Sequence, residues 1–286
     1  SINGQVANRG IPADYDGWRD AGATGWGWAE VLPYFIRLET DLTHGGPLHG
    51  DSGPIPIHRI PRALWPGYSR AVAAGLEMLG FSDLEDQNGR FADGYFPQTL
   101  SNDGTSRVST ARGYLTPGVR ARPNLRILAD SQVHRLLLDG PRIVGVDVRR
   151  GEAVERFDAA EVILSAGAIH SPAMLLRAGI GPAATLRALD IPVVADRPGV
   201  GANLQEHPGI SVSALLAPAA RLRGTTRRHI HLGLRYSSGV AGGEVSDMYL
   251  MAAAKSAWHK LGERIGTLIA WINTPHARGQ VLLRSA

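Results

Sequence analysis

At 286 residues, 44% hydrophobic and 20% charged, the chain has the composition of a globular protein with room for one or two domains. Its 30 basic and 26 acidic residues leave a net charge of +4, and the arginines are scattered, not gathered into the basic, aromatic-interleaved stripe of a nucleic-acid binder. Zero cysteines rule out disulfides and thiolate chemistry and fit a reducing cytoplasm, and no apolar run approaches the ~18 residues a membrane helix needs.

In chain order, the glycine- and tryptophan-rich start gives way to "WAEVLPYFIRLET", where Trp28, Val31 or Leu32, Phe35 and Leu38 share one helical face and Pro33 falls within the first turns. Four glycines and three prolines make "HGGPLHGDSGPIPIHRI" a loop with a short extended piece. "PGYSRAVAAGLEMLGF" is patterned as an amphipathic helix ending near Gly80. From Gln87 to Gly118 the turn pairs Asn88-Gly89, Asp93-Gly94 and Asp103-Gly104 read as a polar loop.

Beyond Asn124 the pattern turns to β. "LRILA" is expected as a strand, followed by "QVHRLLL", a turn at Asp139-Gly140-Pro141, "IVGVDV", a second turn and "AVERF", an antiparallel meander. Val162–Leu164 reads as a strand buried on both faces. The small residues Ser165, Ala166, Gly167 and Ala168 come next. Ser171 is expected to cap a helix with Pro172 at its first position, and Gly179 to close it in the left-handed conformation. Strand, glycine turn and helix N-terminus together suit an anion or nucleotide, or else a tight turn with no ligand. "DMYLMAAA" and "GTLIAWINTP" are expected strands near the end.

The ten histidines do not assemble a metal site in sequence: His229 and His231 stand two apart without a carboxylate or cysteine at ligand spacing. The absence of a G-x-S-x-G elbow removes a hydrolase triad.

"GAIHSPAMLLRAGIG" resembles the second signature of the glucose–methanol–choline (GMC) flavin oxidoreductases. Gly167, Ala168, Ser171, Pro172, Met174, Leu175, Gly179, Ile180 and Gly181 comply, and Ala178 stands where serine is usual. "INGQVANRGIPADYD" is similar to the back half of the family's first signature through Ile2, Asn3, Ala7, Gly10 and Asp16. "PLHGDSGPIPI", "STARGYL" and "RPGVGANLQEHPGI" also look like family sequence, with Glu206 in place of the more usual aspartate. Within the family the phrasing is closest to bacterial oxidases of furanic and aryl alcohols.

The resemblance implies a mixed α/β fold: part of an FAD-binding Rossmann-like domain with an antiparallel meander over residues 1–210, residues 45–100 contributing to the substrate side, and part of a substrate-binding sheet over 211–286. It implies FAD as cofactor. Asn3, Gly4, Gln5 and Val6 would pass beside the flavin ring (though Asn3 before glycine also suits a plain turn), the Val133 backbone would clasp the adenine, and Ala166 and Gly167 would lie along the adenosine half. Trp271 either lines an aromatic substrate's cavity or simply packs on the sheet, and His207 is expected to make a structural hydrogen bond near the cofactor. The implied reaction is hydride transfer from a small primary alcohol to flavin N5, with dioxygen or another acceptor reoxidising the flavin. The pyrophosphate loop is expected upstream of Ser1 and the catalytic histidine beyond Ala286, so that the chain is an internal piece without turnover of its own. A hydroxynitrile-lyase-like member of the family and a non-catalytic binding module are the competing readings.

Overall fold

The computed structural model describes residues 4–223 and 228–285. Helices α1 (Pro12–Asp20) and α2 (Trp28–Leu38) lead into strands β1 (Glu39–Asp41) and β2 (Ile55–Arg59), then helix α3 (Gly67–Met78), strands β3 (Gly94–Pro97) and β4 (Thr99–Ser101), and the short helices α4 (Thr110–Gly113) and α5 (Pro117–Arg120). There follow β5 (Gln132–Asp139), β6 (Arg142–Arg150), β7 (Ala153–Asp158), α6 (Gly167–Arg177), β8 (Ile180–Gly181), α7 (Ala183–Arg187) and β9 (Ala195–Asp196). Strands β10 (Gly209–Leu215), β11 (Ile230–Tyr236), β12 (Met248–Ala253) and β13 (Ile265–Ile272) complete the mixed α/β fold. The chain gathers into two compact units, Ser1–Leu125 with His207–Thr274, and Arg126–Glu206 with Pro275–Ala286.

The first unit is built on a five-stranded sheet ordered β10-β13-β12-β11-β3. Alternation along its strands sends Leu232 and Leu234 of β11, Ala252 of β12 and Tyr95 of β3 into one buried cluster with Trp65, Ile60, Leu100 and Leu76 of α3. Removing one such aliphatic side chain from water contributes about 1.5–3 kcal/mol, so this face holds α3 on the sheet. On the other face Phe96, Tyr249 and Leu84 form a second cluster, with Met251 and Trp271 packed against it. Gly233 makes room there, because a Cβ on it would fall 2.6 Å from the Phe96 ring and 2.7 Å from the Tyr249 hydroxyl. A smaller sheet, β1-β2-β4, flanks the unit.

Gln87–Gly118 is not the polar loop that its turn pairs suggest: it holds β3 and β4, and Gln98, Thr99 and Asn102 are buried within it. Their amide and hydroxyl groups are tolerated inside because each is hydrogen-bonded, so polarity was a poor guide to exposure.

The second unit carries the expected meander. β5, β6 and β7 pair antiparallel in order, with Leu138 opposite Ile143 and Val146 opposite Phe157, and Gly140 turns at φ 56. α6 seats Met174 against Leu136. Two expectations fail here. Neither Leu125–Ala129 nor Val162–Leu164 forms a strand: no ladder reaches them among the described residues, and Val162 and Leu164 pack on the meander core while Ile163 is 81% exposed. An apolar run becomes a parallel strand only beside another strand, and none here offers its edge. The helix also begins at Gly167, not after Ser171. Ser171 lies inside it, its Oγ accepting from the Ala166 N–H at 3.0 Å, and Pro172 is an interior residue. Gly179 does close the helix, at φ 79.

Candidate functional site

Asn3 lies outside the described residues. Its neighbours run beside β4: the Ser101 N–H donates to Gln5 O at 2.7 Å, Val6 bridges Leu100, and the Ala7 N–H donates to Thr99 O at 3.0 Å. Asn88 continues the stitching, its side chain accepting from the Arg9 N–H and donating to Ala7 O, both at 3.0 Å. Gln5 itself sits at φ 58, a left-handed conformation that a residue with a Cβ adopts only when its surroundings impose it. A run of backbone held in this way can present its amides and carbonyls to a planar ligand.

Just past this run, the Asn8 side chain enters a buried polar network. Its Oδ1 accepts from Gln98 at 2.8 Å, Thr99 at 3.1 Å and Gln87, and its Nδ2 donates to the Tyr249 hydroxyl at 2.8 Å. That hydroxyl lies 3.1 Å from both Gln87 Oε1 and Gln98 Oε1, donating to one of them at a time. Burial pushes the Tyr249 phenol up to about 12, against its hydrogen bonds to Gln98 and from Asn8, so it stays protonated. Trp271 stacks on Tyr249 with ring centroids 4.7 Å apart and donates its indole N–H to Asn273 at 2.9 Å. The half-buried indole is therefore held in one orientation.

In the second unit, Val133 is half-buried on β5 opposite Val148, next to a register shift that bends the strand between Val133 and Arg135. Ala166 and Gly167 are exposed at the start of the eleven-residue α6. Gly167 has φ 86 and nothing within 4 Å of where a Cβ would stand, so the backbone at Ala166 and Gly167, where the helix N-terminus begins, is not covered by a large side chain of its own. An adenosine or phosphate group can approach this backbone unobstructed, and the residues present fit a dinucleotide. The expected residues thus separate: Gly4, Gln5, Val6 and Trp271 belong to the first unit, and Val133, Ala166 and Gly167 to the second.

A cluster with no sequence signal lies beneath the loop after β1. His49 Nδ1 is 3.1 Å from Glu39 and 3.2 Å from Asp41, and its Nε2 is 2.8 Å from Asp86. Arg59 pairs with Asp41 at 2.8 Å and Asp86 at 2.7 Å, and Arg9 with Glu39 at 2.5 Å. Hydrogen bonds to Asp41, then Asp86, then Glu39 raise His49 to about 11, so it is an imidazolium. Burial pushes Asp86 and Asp41 up, but His49 and Arg59 more than offset this and hold both carboxyls below their usual range. Glu39, Asp41 and His49 stand close enough to chelate an ion. Yet their carboxylates, with that of Asp86, already face three cations, His49, Arg59 and Arg9, so the cluster is neutral as it stands. The charged knot ties β1, β2 and the Asp86 loop together. His231 and His229 do not cooperate: burial and then the neighbouring His229 lower His231 to about 4, and its Nδ1 faces Ser69 Oγ at 3.4 Å, while the His229 ring sits edge-on to Trp258.

Residues 1–209 match the family model of the GMC oxidoreductases, and the chain belongs to that family. Members of this family are FAD-dependent oxidoreductases. The chain is 47% identical over 291 residues to a 5-(hydroxymethyl)furfural oxidase of Methylovorus sp., a match covering all of this chain and 54% of that protein. It is 43% identical over 208 residues to an oxygen-dependent choline dehydrogenase of Brucella anthropi, covering 72% of this chain and 37% of the other. Pyridoxine 4-oxidase from Mesorbium loti superposes with a TM-score of 0.84 at 30% identity, over 99% of this chain and 57% of that one. The chain thus spans about half the length, or less, of the relatives it matches. No helix among the described residues is long and apolar enough to cross a membrane.

Proposed function

We propose that this chain is an internal piece of an FAD-dependent oxidoreductase acting on the CH–OH group of a primary, aryl or furanic alcohol. The observation that carries the reading is Gln5: a residue with a Cβ, forced to φ 58, in the run that family resemblance sets beside the flavin ring. The identity to a furfural oxidase along the whole chain supports a furanic or aryl substrate, as does an indole at Trp271 held by Tyr249 and Asn273.

When bound, FAD supplies the hydride acceptor for the alcohol carbon at its N5 atom. The part of this chain is binding and orientation. Gly4, Gln5 and Val6, with Asn3 before them, offer backbone groups to the ring, and Val133, Ala166 and Gly167 hold the adenosine half. The hydroxyl proton passes to a histidine beyond Ala286, and dioxygen or another acceptor takes the electrons. Residues 1–210 serve the FAD-binding half. Residues 211–286 serve the substrate half, to which 45–100 also contribute, and the pairing of β3 with β11 supports that contribution. The lack of cysteines supports a cytoplasmic setting.

The test uses the full-length protein that contains this chain. Bound flavin is measured by absorbance, and oxygen uptake or dye reduction with hydroxymethylfurfural, benzyl alcohol and choline. One flavin per chain and preference for the first two alcohols are expected; a protein free of flavin after expression in flavin-replete cells overturns the reading. The 286-residue chain alone is expected to bind FAD weakly or not at all, and tight stoichiometric binding by it contradicts the internal-piece assignment.

A further inference from the structure

Something must impose the left-handed backbone of Gln5, and the structure points to its side chain. Gln5 Oε1 accepts from Asn102 Nδ2 at 2.9 Å. Asn102 is 1% exposed, and its backbone N–H and side-chain oxygen are engaged as well: the N–H donates to Pro56 O at 3.0 Å, and Oδ1 accepts from the Gly104 N–H at 2.8 Å and from Arg228 Nη2 at 2.6 Å. Arg228 also donates to Gly104 O from the same nitrogen.

An asparagine amide can sit in two orientations, with oxygen and nitrogen exchanged, and its neighbours choose between them. A guanidinium and a backbone N–H both donate only, so Arg228 acts together with the Gly104 N–H to select the orientation that turns Oδ1 toward them. Nδ2 is then left facing Gln5, where it fixes the glutamine side chain. Ser101 fixes the Gln5 carbonyl from the other side, and the residue is pinned at both ends.

We propose that Arg228 and Asn102 are positioning residues for the flavin-facing run, Arg228 setting the Asn102 amide and Asn102 holding Gln5 in its left-handed conformation. The proposal rests on the reading of Gly4–Val6 given above.

The experiment is a double-mutant cycle in the full-length protein between Gln5→Met, which removes the acceptor at similar length, and Arg228→Met, which removes the cation. The readouts are the FAD dissociation constant from fluorescence titration and hydrogen exchange at the Ser101 amide. Each single variant is expected to weaken FAD by about ten-fold, and the pair by little more than either alone, because both act through one chain of contacts. Arg228→Lys, which still only donates, is expected to restore most of the affinity. The Ser101 amide is expected to exchange faster in Arg228→Met than in the wild type. If both single variants stay within about two-fold of the wild type, or their effects add, the relay is overturned while the flavin site stands. Unchanged Ser101 exchange in Arg228→Met overturns it as well. A wild-type protein that binds no flavin removes the reading beneath it, and the proposal with it.

Discussion

His49 shows how far a single residue can depart from its sequence expectation. It stands in a loop of glycines and prolines, where an exposed imidazole near its ordinary pKa would be unremarkable, yet three carboxylates hold it as a buried cation. Replacing it by His49→Gln leaves Glu39, Asp41 and Asp86 facing only Arg9 and Arg59. The expected cost is about 3–5 kcal/mol of unfolding free energy, read from urea denaturation near neutral pH. The pH dependence has a definite sign. With a pKa of 6.5 when unfolded and about 11 when folded, the contribution of His49 is complete below 6.5, declines as pH rises, and is gone above 11. From about pH 7 to about pH 10, wild-type stability is therefore expected to fall faster than that of His49→Gln, by at most about 1.4 kcal/mol per pH unit. Parallel curves for the two proteins would show that the histidine is not the titrating group.

At the scale of elements, the start of α6 combines two physical roles that one substitution can separate. Ala166 stands at the N-cap, exposed, with no side chain to offer the helix. Ala166→Asp introduces a carboxylate that favours the positive end of the helix dipole but repels an anionic dinucleotide. The melting temperature is expected to hold or rise by a degree or so, while FAD affinity drops by about ten-fold or more. Loss of both together would mean that Ala166 matters for folding alone. This same element shows where local signals mislead. Serine followed by proline is a good helix start in isolation, but the helix begins five residues earlier, at Gly167 and not at Pro172, because Gly167 can take φ 86 and the Ser171 hydroxyl reaches back to the Ala166 N–H. Pro172 is the sixth residue of α6, past the first four donors that a helix leaves unpaired, so it removes one intrahelical hydrogen bond.

For the whole molecule, the family assignment makes the cofactor part of the stability. A ligand that binds only the folded state stabilises it by mass action, about 2.7 kcal/mol at a hundred-fold excess over its dissociation constant. Stripping FAD from the full-length protein is expected to lower its melting temperature by several degrees, with full recovery on adding FAD back and none on adding riboflavin, which lacks the adenosine half that Val133, Ala166 and Gly167 are proposed to hold. Equal recovery by riboflavin would sink that assignment.

Periodicity located α2, α3, the meander and the late strands β12 and β13, because each of these elements announces its buried face within a few consecutive residues. The signature residues carried the family in the same local way, since a glycine at Gly167 or Gly179 answers to the backbone conformation of its own turn. Pairing was not legible. Among the described residues, Leu125–Ala129 and Val162–Leu164 have strand composition but no strand beside them, whereas β3 and β4, set in a stretch of polar turn pairs, have partners and so become strands. A ladder depends on a second segment distant in the chain, and composition says nothing of where that segment lies. The Asn8 network, the His49 knot and the chain from Arg228 through Asn102 to Gln5 were invisible for the same reason. Their members are separated by up to 241 residues, as Asn8 is from Tyr249, and only the folded chain brings donor to acceptor.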